Sequence, residues 1–211
     1  MAARRYGLSI VGRPAKFDRE SILDAAAALV AEAGPGAATV VNIAQRIEAP
    51  TGSIYHRFAS RELVLAHVWL RAVRGAQLGF VAALNDDDVE SAAGAAINQL
   101  IGWTRAHLDE ATVLLLYRRR DLAERWSNEL GAELADLNVD IAAALRRYAR
   151  RRFGRADRRT VDVVRFALVD VPYAAIRRHL VDGVAPPRAL EDLVITVANC
   201  VLRTHDAARP S

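Results

Sequence analysis

The feature that most limits the fold of this chain is the spacing of its apolar residues. Almost throughout its 211 residues they recur every three to four positions. That spacing lays one apolar stripe along a helix and does not fit the two-residue alternation of a half-buried strand. Alanine, the best helix former, occurs 41 times and points the same way. The sequence therefore predicts an all-α protein. With 52% hydrophobic and 26% charged residues it is globular rather than disordered.

The breaks between stripes divide the chain. In FDRESILDAAAALVAEAG, residues Ile22, Ala25, Ala26, Leu29, Val30 and Ala33 form one face, with Asp18 as N-cap and Phe17 and Ile22 placed as a hydrophobic staple. Gly34, Pro35 and Gly36 end that helix. Thr39 caps a short second helix, VVNIAQRI, and Glu48, Ala49 and Pro50 break it. A short third helix, TGSIYHRF, follows at once. Ser60 caps a fourth, with Glu62 in its first turn, which runs to about Leu84. Beyond a turn at Asn85 to Asp88, helices are expected at about 90–108, 111–118, 121–152 with a possible break near Trp126, 157–181 containing Pro172, and 187–205.

Net charge narrows the function. The chain carries +4 in total, and its first 19 residues hold five basic residues against Asp18 alone. The whole excess thus sits in an N-terminal arm, a handle for an anionic polymer. A second basic run, with eight arginines between Arg146 and Arg159 against Asp157, reads as a solvated helix end, the alternative being a second patch for an acidic partner. The single cysteine, Cys200, excludes an internal disulfide framework and a cysteine-based zinc site. No glycine-rich phosphate loop, nucleophile elbow or metal-spaced histidine pair is present, so no catalytic residue, metal site or cofactor is predicted. Apolar runs are too short for a membrane span or a signal-peptide core.

A short helix, a three-residue break and another short helix form a helix-turn-helix, whose second member enters the major groove. Thr51, Ser53, Tyr55, His56, Arg57 and Arg61 supply small or polar donors on and after the third helix. Gly52 removes a side chain where a backbone must approach DNA closely. The run TVVNIAQRIEAPTGSIYHRFASRELVL resembles the DNA-binding signature of the TetR family of bacterial transcriptional regulators. The matching positions are Thr39, Ile43, Ala44, Gly52, Ser53, Ile54, Tyr55, Phe58, Arg61, Glu62 and Leu63. The chain departs from the family at Glu48, Ala49 and Pro50, where Gly, Val and Ser are frequent, and carries Arg57 and Arg61 where His and Lys are frequent.

The resemblance implies three parts: a basic arm (1–16), a helix-turn-helix DNA-binding domain (17–62, motif about 39–58), and a helical effector-binding and dimerisation domain (63–211) joined by the long fourth helix. Thr39, Tyr55, Arg57 and Arg61 would hold phosphates, and Asn42, Thr51, Ser53 and His56 would meet base edges. Tyr55 would pack its ring and send its hydroxyl to DNA, while Phe58 is core. Trp103, His107, Tyr117, Trp126, Phe166 and Tyr173 are expected in an effector pocket. Val169, Ile176 and Leu180 on one helix and Leu190, Val194, Val197 and Val201 on the last are expected at a dimer interface. The implied protein is a cytoplasmic, homodimeric repressor released from a palindromic operator by a small molecule. The alternatives are a DNA-binding dimer without an effector, and a small-molecule-binding or enzymatic helical protein that keeps the motif.

Overall fold

The computed structural model describes residues 18–207. The arm 1–16 and Phe17 of the staple lie outside the described residues. Among those described, the fold is all-α.

Local chemistry starts and stops the helices. The Asp18 carboxylate accepts the Ser21 amide at 2.8 Å at the head of α1 (Arg19–Ala33), and this bond holds the carboxyl below its ordinary pKa. Gly34, at φ 79°, ends α1. A single 3-10 turn (Pro35–Ala37) leads to α2 (Val40–Arg46), where Thr39 Oγ1 accepts the Asn42 amide at 3.1 Å. Then come α3 (Thr51–Tyr55) and α4 (Arg61–Leu84), the latter capped by Ser60 Oγ on the Leu63 amide at 3.1 Å. The remaining helices are α5 (Val89–Ala106), α6 (Leu108–Val113), α7 (Arg119–Arg125), α8 (Ser127–Asp136), α9 (Val139–Phe153), α10 (Arg158–Arg165), α11 (Val171–Val181) and α12 (Ala189–Ala207).

Two expectations are corrected. The long helix over 121–152 is three, α7 to α9: it breaks at Trp126, where the sequence allowed a break, and again at Leu137 and Asn138, where none was expected. The break at Trp126 turns its indole inward, to 8% exposure. The helix over 157–181 is interrupted by a π-helical turn (Phe166–Asp170) between α10 and α11. Pro172 stands within the first two residues of α11. A proline there has no amide to donate and its ring crowds the preceding turn, so the wider turn accommodates it.

Two cores share α4. The first is built from α1 to α3, the N-terminal half of α4 (Leu63 to Leu70), and Leu122, Trp126, Leu130 and Leu134 of the α7–α8 region. The second joins Phe80 and Leu84 of α4 to α5 and α9 to α12. With 24 residues, α4 is about 36 Å long and reaches both cores, as does the short α6, which buries Val113 in the first and Ala111 in the second. Its partner α5 comes unusually close: a Cβ on Gly75 would lie 2.9 Å from Trp103 Nε1, and one on Gly79 2.7 Å from Gln99 Oε1.

Candidate nucleic-acid interface

Ile43 and Ala44 of α2, Ile54 of α3 and Phe58 are buried in the first core and set the angle between the two short helices. Thr51, Gly52, Tyr55 and His56 are thereby turned outward on one side of α3, with Ser53 half-buried beside them. Tyr55 is 58% exposed, which corrects the expectation of a packed ring. A Cβ on Gly52 would meet nothing within 4 Å. No internal packing therefore requires glycine there. The turn before α3 passes through Glu48 at φ 54°, the left-handed region that favours glycine. Pro50 stands at the N-cap of α3 and makes no side-chain capping bond.

Several polar groups expected on DNA are already engaged. Asn42 Nδ2 donates to the Ala37 carbonyl at 2.8 Å, closing the turn before α2. Arg61 Nε donates to the Ala38 carbonyl at 2.8 Å, its Nη2 donates to the Pro35 carbonyl, and its Nη1 pairs with Glu62 at 3.3 Å. Arg61 thus braces the start of α4 against the loop before α2. Arg57 Nη1 donates to the Ser53 carbonyl at 3.0 Å, and Arg46 pairs with Glu32 at 2.7 Å. Arg19 lies over the Phe58 ring, 4.6 Å from its centroid. Thr39 accepts the Asn42 amide and keeps its hydroxyl proton free to donate.

The six residues expected in one effector pocket fall in different places. Tyr117 and Tyr173 line a cavity of about 340 Å³ between α4, α5, α9 and α11, together with Trp69, Val73, Phe80 and Leu100. Burial raises the Tyr117 phenol above its ordinary pKa. Trp103 and His107 stack at 5.3 Å and border a second, charged cleft against α1 and the opposite side of α4, with His67, Arg71 and Glu110. Trp126 is core of the first unit. Phe166 is 50% exposed on the outer surface.

The dimer expectation divides likewise. Ile176, Leu180, Leu190 and Val194 are at most 3% exposed and are packed inside this chain's second core, so they cannot form a surface. Val169 forms part of the wall of the 340 Å³ cavity. Val201 is half-buried. Val197 remains outside at 41%, beside Leu193 at 59% on the same face of α12. In the basic run, Arg147 Nε donates to Asn85 at 3.1 Å, Arg151 donates to the Asp86 carbonyl and Arg152 pairs with Asp206 at 2.9 Å. These three arginines fasten α9 to its neighbours.

Residues 22–68 match the family model of the bacterial regulatory proteins, tetR family. The N-terminal unit is a TetR-family DNA-binding domain. The chain is accordingly a DNA-binding transcription regulator. The TetR-type fold extends well past the matched segment. A TetR-family transcriptional regulator, PfmR from Thermus thermophilus, superposes with a TM-score of 0.65 at 21% identity, over 89% of this chain and 96% of its own. The ketosteroid transcriptional regulator KstR2 of Mycobacterium tuberculosis gives 0.64 at 20%, over 88% and 93%. The fatty acid degradation regulator FadR from Bacillus halodurans gives 0.63 at 19%, over 88% and 98%. No curated protein sequence matches the chain.

Two exposed residues of the TetR-type motif were missed from sequence. Val41, 53% exposed, and Gln45 stand one turn apart on α2, away from Ile43 and Ala44. Their place opposite the apolar stripe was the available signal. Among the described residues, no helix is long and apolar enough to cross a membrane and no cluster of side chains could hold a metal ion.

Proposed function

We propose that this chain is a homodimeric repressor that binds a two-fold symmetric operator and leaves it when a small molecule occupies the cavity between α4, α5, α9 and α11. The observation that carries this reading is the sharing of residues between cavity and DNA-binding unit. Trp69 is part of the first core and of the cavity wall. Tyr117 lines the cavity and packs against that same core. A ligand that reshapes the wall therefore acts directly on the packing beneath α1 to α3. It releases DNA to the extent that it binds one arrangement of α4 better than the other.

In this reading Thr51, Ser53 and His56 face base edges, the exposed Val41 offers an apolar contact, and Thr39, Tyr55 and Arg57 hold phosphates. Gly52 lets the backbone of α3 approach DNA. Phe166, Leu193 and Val197 form the face that pairs with a second copy. Binding rather than catalysis is the activity.

The test is enrichment of random duplexes by the full chain, followed by titration of the enriched site. A palindromic consensus bound by a dimer supports the proposal. Sequence-indifferent binding contradicts it. Leu193→Asp with Val197→Asp should give monomers that bind the same site at least tenfold more weakly.

A further inference from the structure

The effector cavity of the proposed function has a chemistry that its neighbours lack. Its interior is apolar, walled by Trp69, Val73, Phe80, Leu100 and Ile141. No aspartate or glutamate lines it, whereas at least one carboxylate lines each of the other four described cavities. Its only charged lining residue is Arg118. That arginine is exposed where the chain enters α7, and no described carboxylate lies within ion-pairing distance of it. The other polar lining groups, the Trp69 indole N–H, Gln77, Tyr117 and Tyr173, can all donate hydrogen bonds.

We infer that the cavity takes an amphipathic monocarboxylate, its apolar body against Phe80 and Leu100 and its carboxylate on Arg118 at the rim. This rests on reading the cavity as the effector site. An apolar interior selects an apolar body, because a polar one would lose its hydration without replacement. The planar guanidinium fork matches a carboxylate and holds it with two parallel N–H···O bonds. A single cation balances one negative charge, so a nucleotide or other polyanion is left uncompensated. The volume, about 340 Å³, holds roughly a dozen non-hydrogen atoms at about 30 Å³ each. Arg118 also precedes α7, whose Leu122 belongs to the first core, so a carboxylate drawn to the rim acts on the helix that supports the DNA-binding unit.

Calorimetric titration of the full chain with decanoate and with its uncharged methyl ester tests this. Decanoate should bind about tenfold more tightly than the ester, as one charge-assisted contact at an exposed rim allows. Arg118→Gln should abolish that preference while leaving the ester's affinity unchanged, and Ala76→Trp, which fills the cavity, should weaken both ligands. A decanoate with a terminal diazirine, photolysed on the unaltered protein, should label peptides of α4 and α5 and requires no variant to fold. Equal affinities, or a preference that survives Arg118→Gln, overturn the carboxylate assignment. In that event an ester whose binding is lost in Ala76→Trp leaves the effector cavity standing. Labelling elsewhere, or no binding by either compound, overturns both.

Discussion

The Tyr117 ring meets Trp126 edge-on, with centroids 6.2 Å apart and planes at 85°. Tyr117 faces the cavity and Trp126 is embedded in the core beneath the helix-turn-helix. A double-mutant cycle in urea should give a coupling of about 0.5–1.5 kcal/mol between Tyr117→Ala and Trp126→Ala. Trp126→Ala alone should cost about 3–5 kcal/mol. Strictly additive losses would mean that the two rings do not link cavity and core.

Arg61 spends its guanidinium on the carbonyls of Ala38 and Pro35. Arg61→Ala should therefore lower stability by about 1–3 kcal/mol, the cost of leaving such groups unpaired. The salt dependence of DNA binding, measured well below the variant's melting temperature, should be unchanged. A salt slope reduced by about one would instead put a phosphate on Arg61.

Glu48 and Gly52, on either side of one turn, call for opposite substitutions. Glu48→Gly should stabilise the fold by about 1 kcal/mol, because the residue holds φ 54°. Gly52→Ala should also stabilise, by about 0.5–1 kcal/mol, since α3 gains a better helix former and the new methyl meets nothing within 4 Å. It should nonetheless weaken operator binding about tenfold or more if DNA approaches the α3 backbone. Thermal melts and DNA titrations on the same samples separate the two effects, and an unchanged affinity would remove Gly52 from the interface.

His67 on α4 is held at a pKa of about 4, first by burial and then by the nearby Arg19 charge. From its ordinary value of 6.5 down to about 4, the unfolded chain takes up this proton before the folded one, so stability falls as pH falls through that window. The loss is at most about 1.4 kcal/mol per pH unit, reduced by the solvent that reaches the half-buried ring. His67→Gln should flatten this part of the stability profile, and an unaltered slope would contradict the assignment.

The helix boundaries around the motif were legible because capping is local chemistry. Asp18, Thr39 and Ser60 each accept an amide three residues on. What escaped depends on neighbours distant in sequence. Whether the Arg61 donors are free is decided by carbonyls at positions 35 and 38, and the break at Leu137 and Asn138 interrupts a pattern that reads as one helix. The apolar band of α12 was visible, but spacing does not say which edge the same chain covers. Leu190 and Val194 turn inward, whereas Leu193 and Val197 turn outward.

The central claim is that α3 of each of two subunits reads one half of a symmetric DNA site. Footprinting of the enriched duplex on both strands tests it most directly. Two protected half-sites related by a dyad, with centres about one helical turn or a multiple of it apart, together with altered base preference within each half-site for Ser53→Ala or His56→Ala, are the predicted result. A single unsymmetrical footprint, or protection that ignores sequence and is untouched by either substitution, would contradict it.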